Sequence, residues 1–407
     1  MATSKKSRRA AGLAAVAVVA ATALSSEVAA FADQRTGILA DAVTLAADFE
    51  DGIAAKASGG TVIPVTVTGG SVGDTAQAFS ALRITAKIGG VTAPVAWVDG
   101  SHLKVTAPAT VKAAATTMRL FKNGVAGPES SDRVGYLPIV NSVAPSVVNA
   151  AGGATVTVTG AGFLGVDAGD ASAVTFGGTN ATSFTVVSAS RITAVVPAGL
   201  NGPATVRVSS TGGESPIVLG SKVSYRAALG VSGDPVAKFN GGPTILTITG
   251  AGLGANAKAF AAERVTVLVG TRSVTASYVD STRVKVTMPA ATTATVPVKV
   301  MHDGIAGEAA TVTMVPVVTG LSAPSDALAG GKKVTVKVAG LKIADATGFK
   351  FGDNPATCEK KGIGTAVTFL CTVPPAGAPG PVTVSFLDGE NRESRFTAAA
   401  TFSYTVN

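Results

Sequence analysis

Residues 155–165 read TVTVTGAGFLG. The first five alternate Thr with Val, one polar face and one apolar, which predicts a half-buried β-strand. The last six, Gly160 to Gly165, match G-x-G-x-x-G, the fingerprint of a dinucleotide-binding turn when it follows a strand. That reading needs a helix directly afterwards, because the helix N-terminus holds the pyrophosphate. Here VDAGDASAVTF follows, with the next strand predicted from near Ala173. The gap is too short for a βαβ crossover, which takes a dozen or more residues. The phrase therefore predicts a strand and its closing turn, and no nucleotide site.

The phrase recurs. IPVTVTG ends at Gly69, TVTVTG at Gly160, LTITG at Gly250 and VKVAG at Gly340, with spacings of 91, 90 and 90 residues. A glycine pair precedes each: Gly59-Gly60, Gly152-Gly153, Gly241-Gly242 and Gly330-Gly331. Each copy continues with an apolar strand and a glycine turn (ITAKIGG, AVTFGG, VTVLVG, GFKFGD). A strand closed by Pro108, Pro197, Pro289 or Pro374 comes next, and then a hairpin (MRLFKNGVAGPES, VRVSSTGGES, VKVMHDGIAGEA, VSFLDGENRES). Turn pairs such as Asn123-Gly124, Asp303-Gly304 and Asp388-Gly389 separate the strands. No window shows a helical stripe with caps. Some seven short strands in about 90 residues predict an all-β chain of two-sheet sandwiches. The copies follow one another through YLPIV, YRAALG and MVPVV with no Ser/Gly-rich linker, which predicts stiff junctions.

The order PxVxxVxP, GGxxVTVTGxGF, VxFGG, SxxxITAVVPAG, GxxxVxVxxxGG and a closing Tyr resembles the IPT/TIG domain, an immunoglobulin-like fold. Residues 139–225 carry nearly the whole pattern; the third and fourth copies carry part of it. The first copy lacks the GxGF step and reads KIGG for FGG. The resemblance implies a tandem array of four immunoglobulin-like β-sandwiches after a cleaved signal peptide. The segments are 1–32, the signal peptide; 33–137, a divergent first domain; 138–226; 227–315; and 316–407, the domain with both cysteines. It also implies a secreted bacterial, actinobacterial surface type. It says little of ligand, because such domains serve receptors, transcription factors, surface proteins and polysaccharide enzymes.

The N-terminus fits export. Lys5, Lys6, Arg8 and Arg9 precede an apolar run over residues 10–24, and Ala30-Phe31-Ala32 supplies a small-x-small site for cleavage between Ala32 and Asp33. The run is shorter than the roughly 20 residues a membrane span needs. Loss of the four basic residues and Glu27 lowers the formal net charge from +8 to +5, too mild to imply nucleic acid. No other segment is long and apolar enough to span a bilayer, and no sorting signal for covalent attachment is visible. Cys358 and Cys371 are the two cysteines, aligned with Ser183 and Ala194 of the second copy on neighbouring strands; in an exported chain they read as a disulfide, and two cysteines alone cannot complete a zinc site.

Candidate sites are few. His102 and His302 lie in different copies at non-equivalent places, His302 in a hairpin where Lys122 is its counterpart, and neither has a partner cluster in sequence. Both are read as structural or solvated. Asp167 and Asp170 could approach a cation, but the other copies lack the pair. The acidic spot Asp48, Glu50 and Asp51 reads as a turn. Trp97 and Tyr278 fall at matching positions with Val186 between them, and could stack a ligand. Their parity is that of Val95, Phe184 and Ala276, which points inward. No acid, base or nucleophile constellation appears, so no enzyme, cofactor or metal is expected. The expected function is a non-catalytic extracellular structural or adhesive rod that assembles with itself into a fibre or layer at the cell surface. The alternative is a secreted module that binds cell-wall or environmental polysaccharide, or a protein partner.

Overall fold

A computed structural model describes residues 44–250, 253–362 and 367–406. All of them belong to a unit that starts at Thr44. The signal peptide and the Ala32–Asp33 cleavage position lie outside the described residues.

The opening phrase is the strand Thr155–Ala161. Val156 and Val158 are buried while Thr155 and Thr159 are exposed, as the alternation predicts. The strand pairs antiparallel with Ile139–Ala144 on one side and Arg191–Val195 on the other; Ser183–Ser188 forms the edge. The facing sheet is built on Lys222–Arg226, Gly202–Ser210 and Val174–Phe176. Val156, Val158, Phe163, Phe176, Ile192 and Tyr225 share one buried cluster between the two. Each such aliphatic side chain contributes about 1.5–3 kcal/mol by leaving water.

The pattern repeats along the chain as tandem immunoglobulin-like sandwiches, each over its own cluster of buried side chains. The third copy differs in one respect. Its strand Arg272–Tyr278 pairs with Val265–Val269 through its first half and with Arg283–Met288 through its second. Its two layers are thereby one continuous eight-stranded sheet.

Two features correct the reading from sequence. First, there are helices. Helix α1 (Ala76–Ala81) and helix α2 (Ala257–Glu263) occupy matching places in the first and third copies. Thr75 and Asn256 cap them, accepting from the N–H groups of Ala78 and Ala259 at 3.2 and 3.0 Å. Arg83 and Arg264 follow them in left-handed conformations. Both helices are Ala-rich, which favours the conformation, but they are under two turns long. Each sends one aromatic, Phe79 or Phe260, toward the core, so no stripe could show. Second, the cysteines are bonded as expected, Cys358 to Cys371, but in a shifted register. Cys371 pairs with Val334 as Ala194 pairs with Val156. Cys358 therefore stands in the place of Phe184, not Ser183.

The Glu-Ser pair at the end of three hairpins also acquires a role. The hydroxyls of Ser130, Ser215 and Ser394 accept from the backbone N–H of Met118, Val208 and Phe386 at 2.9, 2.9 and 3.0 Å. Each pins an N–H that a ladder irregularity would otherwise leave unpaired inside the sandwich. The third copy has Ala309 there.

Candidate functional site

The groups that distinguish this chain from a string of independent beads lie where one copy meets the next. Between the first and second, residues 111–113 and 162–164 form a short antiparallel bridge. Ala113 N–H donates to the Gly162 carbonyl at 2.8 Å, and Leu164 N–H to that of Val111 at 3.2 Å. This is the second half of the opening phrase. Gly162 has φ +83°, and a Cβ there would sit 2.5 Å from the Cβ of Ala57 and 2.9 Å from that of Ala113. A Cβ at Gly165 would run into the Ala113 carbonyl. The glycines thus let two sandwiches approach, in addition to turning the chain.

At the second junction Arg226 ends the last strand of the second copy and reaches into the third. Its Nη1 lies 2.7 Å from Glu263 Oε2 and its Nη2 donates to the Ala262 carbonyl at 3.3 Å. Its Nε is 3.6 Å from Asp303, an ion pair too long for a hydrogen bond. At the third junction Arg392 donates through Nη1 to the Met314 carbonyl at 2.8 Å, and through Nη2 to Asp388 at 2.7 Å. Arg395 N–H donates to the Pro316 carbonyl at 2.9 Å. Burial alone would push the Asp388 carboxyl up. The Arg392 hydrogen bond, with N–H donors from Arg392, Glu390 and Leu341, outweighs it and holds the group below the ordinary carboxylate value.

A groove of about 440 Å³ opens between α2 and the strand Arg272–Tyr278. Phe260, Tyr278, Arg264, Thr266 and Thr275 line it. The Phe260 and Tyr278 rings are 5.8 Å apart and tilted by 49°. Tyr278 is half-buried and packs against the third core. Its counterpart Trp97 packs against the first core, as Phe79 does, and its indole N–H donates to the Gly73 carbonyl at 2.9 Å. The inward parity is what places each of these aromatics beside a helix that the sequence did not reveal.

The remaining candidates separate. His102 is exposed and bonds Asp99 at 2.8 Å. His302 is not solvated: it is 1% exposed and bonds Glu263 and the Ala227 carbonyl at the second junction. No sequence signal pointed there, because the partners lie 39 and 75 residues away. Asp167 and Asp170 accept from the N–H groups of Gly169 and Ser172 in local turns. Asp51 accepts from Arg133 N–H and ties the start of the first copy to its last long strand. Among the described residues no three His, Cys, Asp or Glu side chains gather as a metal-binding group, and no helix is long and apolar enough to cross a membrane.

Removing the Asp388 carboxylate leaves Arg392 partly buried without its partner. Asp388→Ala is expected to cost about 3–5 kcal/mol at neutral pH by urea unfolding. Because the folded carboxyl titrates below its unfolded value, this contribution is complete above about pH 4. It is lost as pH falls through the folded value, so wild type and variant converge in acid. A gap that persists in acid contradicts the assignment.

The profile of the IPT/TIG domain matches residues 138–225, 234–314 and 316–404. No curated protein matches the sequence. Among solved structures, the plexin A4 extracellular region is similar at 12% identity over 89% of this chain and 38% of that one, with a TM-score of 0.25. A second plexin A4 structure has 47% of its length covered, so the chain spans less than half of either. Invasin, a bacterial integrin-binding protein, is similar at 14% identity over 89% of this chain and 79% of that one, TM-score 0.21. A Bacteroides ovatus protein of a mixed-linkage glucan utilization locus is similar at 16% identity over 69% and 68%, TM-score 0.20. The profile covers well over half of the sequence, and the chain belongs to the IPT/TIG domain family.

Proposed function

We propose that this is a non-catalytic extracellular structural or adhesive protein of a bacterial surface. After cleavage between Ala32 and Asp33, its four sandwiches, 33–137, 138–226, 227–315 and 316–407, act as a rod. The rod is retained at the cell surface by assembling with copies of itself into a fibre or layer. It takes no cofactor, metal or nucleic acid. One observation carries this reading: consecutive copies bond to one another at each junction, by a backbone bridge at the first, the Arg226–Glu263 ion pair at the second and Arg392 on the Met314 carbonyl at the third. Such joints suit a part that transmits force or sets a spacing, and would be wasted on separate binding beads. The Cys358–Cys371 disulfide supports an oxidising compartment. With 14% charged residues, against roughly 25% in average soluble proteins, the surface has few like charges to keep copies apart. Negative-stain microscopy and light scattering of residues 33–407 should show filaments, a lattice or a mass that rises with concentration. A strict monomer at all concentrations and salts contradicts self-assembly.

A second reading is favoured by the groove under α2. Phe260 and Tyr278 give it an aromatic wall, and Thr266, Thr275 and Arg264 give it polar partners, the combination that holds a sugar ring of a polysaccharide. On that reading, pull-down on cell-wall or plant glycans is weakened about tenfold or more by Tyr278→Ala, a hot-spot-sized loss. Trp97→Ala, whose N–H is already committed to Gly73, has a smaller effect. Binding indifferent to Tyr278→Ala in a folded variant excludes the groove.

A further inference from the structure

An open sheet leaves N–H and C=O groups unpaired along its edge strands, and natural sheets blunt those edges by shortness, charge, proline or cover. Among the described residues most edges of this array are two or three residues long. Five are longer, and four of the five carry a guard. Ile53–Lys56 ends in an exposed lysine. Ile139–Ala144 lies under the turn Leu219–Ser221, where a Cβ at Gly220 would overlap the Asn141 carbonyl. Val317–Leu321 is covered by residues 395–397: Arg395 bridges Val317, and the Thr397 hydroxyl donates to the Val318 carbonyl at 2.7 Å. Thr357–Lys361 exposes Glu359, Lys360 and Lys361.

The fifth, Ser183–Ser188 in the second copy, has none of these guards. Its sequence SFTVVS is rich in the β-branched and aromatic residues that suit a strand. Residues 179–190 contain no charged side chain and no proline. Arg191–Val195 is its sole ladder partner among the described residues. Ser183 to Val186 run in unbroken register, and the one irregularity falls after them, between Val186 and Ser188. Ser183, Thr185 and Val187 are exposed, while Phe184 and Val186 pack on the second core. The sister copies treat this same edge differently. In the first it is three residues long and follows Pro94 (Val95–Trp97). In the third, Arg272–Tyr278 is paired to strands of both layers. In the fourth it is the charged strand Thr357–Lys361.

We propose that Ser183–Ser188 is a docking edge that pairs antiparallel with the same strand of a second copy, joining the two four-stranded sheets into one. The strand's own chemistry selects a second copy. Around a two-fold axis each side chain meets its own kind, so a charged edge such as Thr357–Lys361, with Glu359 at its centre, repels itself, whereas an uncharged one does not. The register has to keep core-facing side chains on the core side, because a one-residue slip turns them out. An axis through Thr185 does so: Thr185 faces Thr185, and Phe184 faces Val186 of the second copy. Such a contact is isologous and closes at a dimer, so a fibre or layer needs a further contact. The proposal rests on the self-assembly reading and names its first contact.

Sedimentation velocity of residues 33–407 over a range of concentrations measures the dimer, with the fold of each variant checked by its melting curve. Wild type should dimerise. Thr185 is exposed, so substitution there leaves the core intact. Thr185→Lys and Thr185→Glu each set like charges across the axis, and each should weaken dimerisation about fivefold or more, the scale of one cross-strand pair. Mixed one to one, the two variants should pair again. Lys360→Glu, on the guarded edge, should change nothing. Thr185→Cys, oxidised by dissolved oxygen, should give a covalent dimer, because opposite Cα atoms about 4.5–5.5 Å apart suit a disulfide and the native cysteines are already bonded to each other. A dimer that grows no further supports the edge and contradicts a fibre. Assemblies indifferent to Thr185→Lys, or a mixture of the two variants that stays apart, overturn the edge and leave self-assembly standing. A monomer at every concentration overturns both, whether the edge stays bare or is taken by residues 33–43 of the same chain or by a strand of another protein.

Discussion

A chain that passes from one sandwich directly into the next leaves peptide groups between two cores, beyond the reach of either ladder. Buried N–H and C=O groups have to be paired, and here the next repeat supplies the partner. Ala113 N–H meets the Gly162 carbonyl. Arg226, at the end of the second copy's last strand, meets the Ala262 carbonyl of the third. The Met314 carbonyl meets Arg392, and within the fourth copy the Pro316 carbonyl meets Arg395 N–H. The short connections YLPIV, YRAALG and MVPVV are tolerable because of these bonds, and the bonds exist because the connections are short.

The joints solve one geometric problem with different chemistry. The first is a strip of backbone that needs close approach, so it depends on glycines and on alanine side chains at positions 57 and 113. The second depends on an arginine, a histidine and two carboxylates. The third depends on one buried aspartate that gathers an arginine and several N–H donors around it. Neutral contacts are indifferent to pH, whereas the Asp388 joint weakens in acid.

What could be read in the sequence is what repeats. The Thr/Val alternation, the glycine pairs and the proline at each strand end recur every 90 residues or so, and each copy confirms the others. The inward parity of Trp97 and Tyr278 was legible for the same reason. What could not be read occurs once, or spans two copies. Helices α1 and α2 are too short to leave a stripe, and the residues that mark them, Thr75 and Asn256, look like ordinary turn residues. His302 gains its meaning from Glu263 and from the Ala227 carbonyl, 39 and 75 residues away, and no spacing rule links the three. The glycines of GAGFLG were legible as a turn. Their second role, letting Ala113 approach, required the neighbouring domain to be in place.

The central claim is that adjacent repeats are coupled through these joints, and calorimetry tests it most directly. A lone sandwich of about 90 residues unfolds with an enthalpy of about 60 kcal/mol. If the joints couple neighbours, the mature chain unfolds with a van't Hoff enthalpy well above that value, because more than one repeat melts as a unit. A set of independent transitions, each near the value for a lone domain, would contradict the account.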